Sequence, residues 1–411
     1  MPYPKALTNY LNKVQNVSRN VLKVIPYKTD GVKSNSIIVV DLPNNAMLSL
    51  DTLTFHFKGT TTSTAGFYTF PRHIESLISK ISVEINGLSL PSCNNLSDVY
   101  NIMYNLTQSS DMQTKRALYQ NGGVQGAPTS NVTSKDYAIQ HWLGFLGTAE
   151  GRVIDLGILG NVRLHITLEN TNVLIASDGA TGPEFQLDNL YFTVDSISID
   201  DGTYYNTKAA FLNQGGVIEI PFTTLYSSLF NANSFTQSSR FSVSAQSLDW
   251  VLGTFVPNRS ISGLNSNMGQ SKYFKYIADA GSSSTTQTLV DWEFQINNVS
   301  IPNYKASKAD AFPLILNVLG TSQSEDGGIC SSISTQDIWY GDAFVAGVRL
   351  DLETSPDERY QSGLNTLGTQ STLSFNTNGG TVAYCPSNCF IVAGATSVLR
   401  ASAGKTIEVV V

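Results

Sequence analysis

The stretch that decides the fold is ISVEINGLSLP, residues 81–91, because it recurs as WEFQINNVSIP in residues 292–302. In both copies, alternating apolar and polar residues predict a β-strand with one buried face. Asn86-Gly87 in the first copy and an Asn-Asn pair in the second tolerate positive φ, which is typical of a tight hairpin turn. A returning strand follows, and proline ends its pairing because it has no N–H. The sequence therefore predicts the same β-hairpin twice.

Two further blocks recur in the same order after the hairpin. Residues 98–106, DVYNIMYNL, align with residues 310–318, DAFPLILNV, and each block predicts a short helix with an aspartate at its start. Residues 161–169, NVRLHITLE, resemble residues 347–353, GVRLDLE. Because three blocks recur in one order, we expect a duplicated domain, and the period is far too long for a solenoid.

The composition favours β-structure in two domains. The 411 residues are enough for two domains of ordinary size, each with its own core. Charged residues make up only 14% of the chain, and the aromatic content of 10% suits sheets. The net charge of −7 gives no overall attraction to nucleic acid. The sequence predicts neither a secretory signal nor a membrane span, since no stretch approaches the ~20 apolar residues that a span needs.

Strand patterns bounded by turn residues form two sets of about eight, each with one helix after the repeated hairpin. Eight antiparallel strands in ~180 residues are most readily arranged as a two-sheet jelly roll. We therefore predict an all-β chain of two tandem eight-stranded jelly rolls (a double jelly roll), with a short helix inserted in each roll and an N-terminal amphipathic helix. The segment DDGTYYN after residue 199 predicts a turn that leads to a linker. The predicted divisions are residues 1–28, 29–212 and 213–411, which are a basic N-terminal segment, the first roll and the second roll.

Three long stretches carry a resemblance to a known family. They are IESLISKISVEINGLSLPSCNNLSDVYNIMYNLT in residues 74–107, SSRFSVSAQSLDWVLGTF in residues 238–255 and VRLDLETSPDERYQSGLNT in residues 348–366. Their arrangement resembles that of the double jelly-roll major capsid proteins of DNA viruses, including tectivirus-like phages, virophages, Polinton-like viruses and adintoviruses. The pattern extends from about residue 30 to the C-terminus, and the match is one of arrangement, without a strict signature motif.

The resemblance implies a viral structural protein of the virion, assembled inside the host cell. Such a major capsid protein forms pseudo-hexameric homotrimeric capsomers that tile an icosahedral capsid, since three chains with two rolls each present six similar domains. The implied partners are further copies of the chain, penton and minor capsid proteins, and an internal membrane or the packaged genome. The long loops in residues 107–136 and 256–290 would form a tower or contacts between subunits.

The first 28 residues contain five basic residues and no acidic residue. Apolar residues at helical spacing up to Val17 predict a short amphipathic helix, and a strand is expected over residues 20–27. We expect attraction to an acidic surface, which could be an anionic membrane, packaged nucleic acid or a neighbouring subunit. Alternatively, the helix packs on its own first roll. The expected interior or assembly contacts are Lys5, Leu7, Leu11, Lys13, Val14, Arg19, Lys23 and Lys28.

The rival function is binding, by a two-domain β-sandwich lectin or a viral attachment spike. A jelly-roll glycosidase is a weaker alternative because no carboxylate pair stands out. No hydrolase, zinc-protease or P-loop motif occurs, so we predict that the chain is not an enzyme and holds no cofactor or metal. The acid-rich residues 195–202 and 351–358 could hold Ca²⁺, although such turns are usually solvated.

The remaining residue types with chemical potential have structural explanations. His56 and His165 fall in strand patterns and are expected to be hydrogen-bonded within or beside a sheet. Trp250 and Trp292 are expected in the core, although tryptophans could also form a sugar-binding platform. The four cysteines are too few and too scattered for a disulfide framework. The pair in CPSNC, residues 385–389, is expected to be two free thiols, with a local disulfide or a zinc site as alternatives, although no second pair of metal-ligand spacing exists.

Overall fold

The computed structural model describes most of the chain outside the N-terminal segment and several long loops. The described residues are 17–44, 46–71, 73–107, 128–149, 153–177, 179–199, 202–231, 236–256, 276–278, 288–319, 339, 343–352, 362–378 and 388–411.

The strands of the first half begin at residue 17 and end at residue 199. They are β1 (Val17–Val24), β2 (Val32–Lys33), β3 (Ile37–Asp41), β4 (Met47–Thr62), β5 (Tyr68–Thr69), β6 (Ile78–Ile85), β7 (Leu88–Ser89), β8 (Lys135–Ile139), β9 (Ile154–Asp155), β10 (Val162–Leu168), β11 (Ile175–Ala176) and β12 (Glu184–Ile199).

The strands of the second half occupy residues 218 to 410. They are β13 (Ile218–Asn231), β14 (Thr236–Phe241), β15 (Leu248–Val256), β16 (Thr288–Ile296), β17 (Val299–Ser307), β18 (Ala346–Arg349), β19 (Ser371–Asn378), β20 (Asn388–Ser402) and β21 (Thr406–Val410). The α-helices are α1 (Leu96–Thr107), α2 (Phe145–Thr148), α3 (Leu156–Leu159), α4 (Gly202–Asn213) and α5 (Ala311–Leu319).

The two halves have the same strand order. In the first half, one sheet runs β1-β12-β4-β8 and the other runs β3-β10-β6-β7. In the second half, the corresponding sheets run β13-β20-β15-β18 and β14-β19-β16-β17. The eight main strands are β1, β3, β4, β6, β7, β8, β10 and β12 in the first half and β13 to β20 in the second. When each set is numbered 1 to 8 along the chain, the two sheets of either half have the strand orders 1-8-3-6 and 2-7-4-5. Two four-stranded antiparallel sheets with these orders form a jelly roll, so the predicted all-β double jelly roll is confirmed.

The alternating pattern decides which face of each strand is buried. In β10, for example, Val162, Leu164 and Ile166 are buried, while Arg163 and His165 between them are partly exposed. Successive side chains of a strand point to opposite faces, so one face of β10 packs in the sandwich and the other meets solvent. The buried apolar residues of both rolls form one continuous cluster, which joins the two sandwiches. Among the described residues, none of the helices has the length and apolarity needed to cross a membrane.

The repeated hairpin occupies the same place in both rolls, as its sequence predicts. It joins β6 to β7 in the first roll and β16 to β17 in the second, and the predicted helix follows each time as α1 and α5. Asn86 has a φ of 49° and Gly87 a φ of 86°. The Asn-Asn pair of the second copy takes the same left-handed conformation, with φ of 53° and 61°.

The third repeated block is wrongly aligned in the sequence analysis. Residues 161–169 form β10, which lies between β3 and β6, whereas residues 347–353 overlap β18, which pairs with β15 in the other type of sheet. β10 is therefore the seventh of the eight main strands in the first roll, whereas β18 is the sixth in the second roll. Both blocks contain a Val-Arg-Leu stretch, and such a short alternating pattern does not specify which sheet a strand joins.

Two further elements differ from the sequence prediction. The segment expected to form a turn and a linker is the twelve-residue helix α4. At the N-terminus, Val17 belongs to β1 and not to a helix, because Val17–Val24 pair along their whole length with β12. The edge of the first sheet thus includes residues that the sequence analysis assigned to the N-terminal segment. The rest of the predicted amphipathic helix lies outside the described residues.

We predict that Gly87→Ala destabilises the chain by about 1–2 kcal/mol, because alanine resists the left-handed conformation that the turn requires. An added Cβ at Gly87 would meet no atom within 4 Å, so the loss would come from backbone strain alone. The matched control is Gly202→Ala, where the added Cβ also has open space but φ is not positive. Denaturant unfolding of both variants tests this. Equal free energies of unfolding for the two variants would show that the left-handed turn conformation at Gly87 does not limit the stability of the chain.

Candidate assembly surfaces

The described basic residues of the N-terminal segment are engaged with the first roll. On β1, Arg19 Nε donates to Asp195 Oδ2 at 2.6 Å, and Lys23 Nζ lies 4.2 Å from the ring centroid of Tyr191. Lys28 donates to a backbone carbonyl three residues later in the chain. Arg19 is therefore not a free charge. Outside the described residues lie the other predicted contacts, Lys5, Leu7, Leu11, Lys13 and Val14.

His56 and its neighbours belong to the same outer face of the first sheet. The His56 ring stacks on Tyr191 with centroids 4.6 Å apart, and its Nε2 lies 2.9 Å from Thr193 Oγ1. Burial, together with the nearby charge of Lys23, lowers the pKa of His56. His56 is thus a hydrogen-bonded histidine of a sheet, as predicted, and its environment favours the neutral ring.

The first contact between the rolls is made by the first strand of the second roll. The rings of Phe145 in α2 and Phe222 in β13 meet edge to face with centroids 5.3 Å apart. The backbone N–H of Thr223 donates to Thr148 Oγ1 at 2.8 Å. Leu225 is only 7% exposed. Side chains of the first roll therefore cover part of a strand that stands at the end of its own sheet.

The loop between β7 and α1 completes this contact. Ser227 of β13 donates a hydrogen bond from its hydroxyl to the carbonyl of Asn94. Cys93 is buried beside it, and burial raises the pKa of its thiol to about 11. A cavity of about 30 Å³ remains between the loop, α2 and β13. This volume has room for a few water molecules and not for a sugar ring.

A second contact between the rolls is a buried polar cluster. The Tyr276 hydroxyl, which comes from the second roll, donates to Asp98 Oδ1 at 3.2 Å. Asn101 Nδ2 in turn donates to the Tyr276 oxygen at 3.3 Å. Asp98 is the residue that the repeat identifies at the start of the helix, and it lies in α1 with no exposed surface. Because buried polar groups need such partners, this cluster favours one arrangement of the two rolls.

The helix α4 is attached to the first roll by a carboxylate. Asp155 Oδ2 accepts from Lys208 Nζ at 2.7 Å and from the Tyr204 hydroxyl at 3.2 Å. Asp155 Oδ1 accepts from the backbone N–H of Gly157 at 2.8 Å. Both side chains of the ion pair are largely buried, so the helix that connects the rolls is held against the first one.

The outer face of the sheet β3-β10-β6 carries a charged network. Arg163 donates to Asp41 through Nε at 2.7 Å and through a second nitrogen at 3.2 Å, and the Tyr27 hydroxyl donates to the same carboxylate at 2.5 Å. The hydrogen bonds from Arg163 and Tyr27 lower the pKa of Asp41. On the next strand, Glu84 Oε2 lies 3.4 Å from His165 Nε2. His165 is therefore paired within the sheet, as predicted.

The other candidate residues of the sequence are mostly structural where the structure describes them. Trp292 is 1% exposed and Trp250 packs against the core, as predicted. Cys389 is a buried free thiol whose pKa burial raises to about 12, while Cys385 lies outside the described residues. Among the described residues, no cluster of three metal-binding side chains forms. The two acid-rich stretches are described only in part, and there Asp195 pairs with Arg19 and Asp351 with Arg349.

Sequence reasoning missed the residues that join the rolls. Phe222, Thr148 and Tyr276 belong to no motif, and their partners lie far away in the chain. Only Asp98 carries a signal in the sequence, because it aligns with Asp310 in the repeat. The signal identifies a helix start and gives no indication of its partner in the second roll.

Comparison with solved structures shows the same fold over the whole chain. The PBCV-1 virus capsid chain aligns with a TM-score of 0.61 at 15% identity and covers 96% of this chain and 97% of its own. The Faustovirus major capsid protein aligns with a TM-score of 0.63 at 10% identity, with 94% and 90% covered. A chain of the Sputnik virophage aligns with a TM-score of 0.59 at 11% identity, with 96% and 88% covered. This chain therefore has the double jelly-roll fold of these viral proteins. No protein-family model and no curated protein matches its sequence.

We predict that Lys208→Met destabilises the chain by about 2 kcal/mol, because it leaves the buried Asp155 carboxylate without its cation. The matched control is Lys33→Met, which removes an exposed lysine whose Nζ lies 3.9 Å from Glu184 Oε2. That loss should stay below about 1 kcal/mol. Urea unfolding measures both variants. Similar losses would show that the attachment of α4 adds nothing beyond an ordinary surface pair.

Proposed function

We propose that this chain is the major capsid protein of a DNA virus, three copies of which form a pseudo-hexameric capsomer of an icosahedral shell. The observation that carries the proposal is the fold. The likeness to the PBCV-1 and Faustovirus capsid chains extends over nearly the whole of each chain and includes both rolls. We place the chain accordingly in the virion, after assembly inside the host cell.

The internal architecture supports a geometric role. Two rolls of identical strand order are joined by an apolar contact, a buried polar cluster and an attached helix. A chain built in this way offers two similar units at a fixed spacing, so a ring of three chains offers six. Such a ring fits the positions of hexagonal symmetry in an icosahedral shell. A catalytic role would instead need reactive side chains placed close together. We therefore propose a structural, non-enzymatic protein.

The proposed partners follow from this role. Further copies of the chain are the principal partner, and penton and minor capsid proteins would occupy the positions that a pseudo-hexamer cannot fill. We retain the boundary between residues 212 and 213 as a proposal, and we move the boundary expected at residue 28 to residue 16, because Val17–Val24 pair with β12 in the first sheet. The contact with an internal membrane or the packaged genome is proposed for the part before β1, because Arg19 is engaged by Asp195 and the earlier Lys5 and Lys13 have no acidic neighbour in sequence.

We predict that the purified chain is a stable trimer at micromolar concentration, with more than ~2,000 Å² buried at each contact, as permanent assemblies usually bury. Light scattering after gel filtration measures the mass, and negative-stain imaging at high concentration should show hexagonal sheets. A glycan column provides the opposing measurement. A monomer retained by glycans would favour the lectin or attachment-spike function and would contradict a capsid role.

We predict that deletion of residues 2–16 leaves trimers intact but prevents closed shells, because it removes basic residues and keeps all of β1. The control is deletion of residues 2–24, which removes β1 from the edge of the first sheet and should lower the melting temperature. Gel filtration and electron microscopy separate the outcomes. Loss of trimers in the shorter deletion would assign residues 2–16 to the roll itself and overturn the proposed interior contact.

A further inference from the structure

The contact between the rolls joins two unlike surfaces. One is the outer side of the first strand of a roll, which we term the strand surface. The other is the edge of the repeated hairpin and the start of the helix after it, which we term the hairpin surface. Within the chain, the strand surface of the second roll, on β13, packs on the hairpin surface of the first roll, where Asn94 and the nearby α2 meet it. Each roll has both surfaces, and among the described residues one surface of each kind is left exposed.

The unused strand surface belongs to the first roll, and its residues are exposed. Val21 on the outer face of β1 is 61% exposed, and Ile25 just after β1 is 62% exposed. By contrast, Leu225 on the outer face of β13 is covered by the first roll. β1 and β13 hold the same rank at the end of their sheets, and the first roll covers Leu225 on β13 while Val21 and Ile25 stay exposed.

The unused hairpin surface belongs to the second roll and shows the same contrast. The repeat aligns Pro91 with Pro302, and two residues further on it aligns Cys93 with Tyr304. Cys93 is 7% exposed because it lies in the contact between the rolls, whereas Tyr304 is 50% exposed. Phe312 at the start of α5 is 41% exposed, whereas Tyr100, with which the repeat aligns it, is fully buried. Large apolar residues that are exposed in one roll and buried at the aligned positions of the other indicate an interaction site.

We propose that the strand surface of the first roll in one copy docks on the hairpin surface of the second roll in the next copy. The contact would repeat between chains the arrangement that already joins the rolls within each chain. Val21 and Ile25 would take the place of the β13 side chains, and Tyr304 would take that of Cys93. This inference rests on the proposed function and specifies which surfaces the capsomer uses.

The proposed contact is heterologous, since the two surfaces differ. A heterologous contact repeated from copy to copy either closes into a ring or continues as a filament. Three chains close a ring of six rolls if each step repeats the relation between the rolls of one chain and that relation is a sixfold rotation. Among the described strands, β1 stands at the end of its sheet, and its edge also fits this role, because the equivalent edge of β13 donates a backbone N–H to Thr148 of the neighbouring roll.

The test uses aspartate substitutions at exposed positions of the full chain. Val21→Asp removes the strand surface, Tyr304→Asp removes the hairpin surface, and the control Phe67→Asp changes an exposed apolar residue in the loop between β4 and β5. We expect each of the first two variants to be monomeric by light scattering and the control to remain trimeric. An equal mixture of Val21→Asp and Tyr304→Asp should form heterodimers, because each variant retains the surface that the other has lost.

Other outcomes overturn the inference in distinguishable ways. If the wild type is trimeric and either variant is also trimeric, the surfaces are wrongly assigned while the proposed function stands. A dimer of Tyr304→Asp alone would indicate a symmetric contact between strand surfaces. An effect of Val21→Asp without an effect of Tyr304→Asp would mean that residues 1–16 or another protein cover β1. A monomeric wild type would contradict the proposed function as well.

A cross-linking experiment covers the case in which an aspartate variant fails to fold. Val21→Cys and Tyr304→Cys are made separately in a chain whose Cys330 and Cys385 are replaced by serine, since the other native thiols, Cys93 and Cys389, are buried. Mild oxidation of the mixed variants should give a disulfide-linked dimer that joins residue 21 to residue 304. The yield should exceed that of either variant alone. Equal yields in all samples would overturn the inference.

Discussion

Burial of β13 against the first roll is the contact on which the remaining architecture depends. A first strand at the end of its sheet has one unpaired edge, and such edges attract other chains unless they are covered. Here Thr148, Phe145 and the loop at Asn94 cover it. Once this contact forms, Asp98 can reach Tyr276 and the apolar cores of the two sandwiches become continuous. The duplication thus yields one unit with a defined internal geometry.

Local chemistry explains what the sequence predicted correctly. The Asn-Gly and Asn-Asn turns adopt positive φ, so their residues alone mark both hairpins. The helix after each hairpin has apolar residues at helical spacing, and alternation in the strands identifies the buried face. Because these signals lie within a few residues of each other and occur twice in one order, the double roll and the resemblance to capsid proteins could be inferred from one chain.

The errors and omissions have a common physical origin in long-range contacts. The third block, which was wrongly aligned, has alternating apolar and polar residues that fit either sheet. Pairing with β6 places β10 in one type of sheet, and pairing with β15 places β18 in the other. The helix α4 lacks an amphipathic pattern, so its contact with Asp155 could not be read from its own residues. The same holds for Val21 and Tyr304, whose exposure becomes informative only beside the buried residues of equivalent position.

The position of strand β20 in the chain has a consequence for the synthesis of the protein. It lies between β13 and β15 and pairs with both, yet it follows both of them by more than 130 residues in the chain, at Asn388–Ser402. A chain whose synthesis stops early can complete the first roll and still leaves β13 and β15 without the strand that separates them. Such a product has open edges and no finished second roll. An incomplete chain is therefore distinguished from a complete one by the open edges of its second roll.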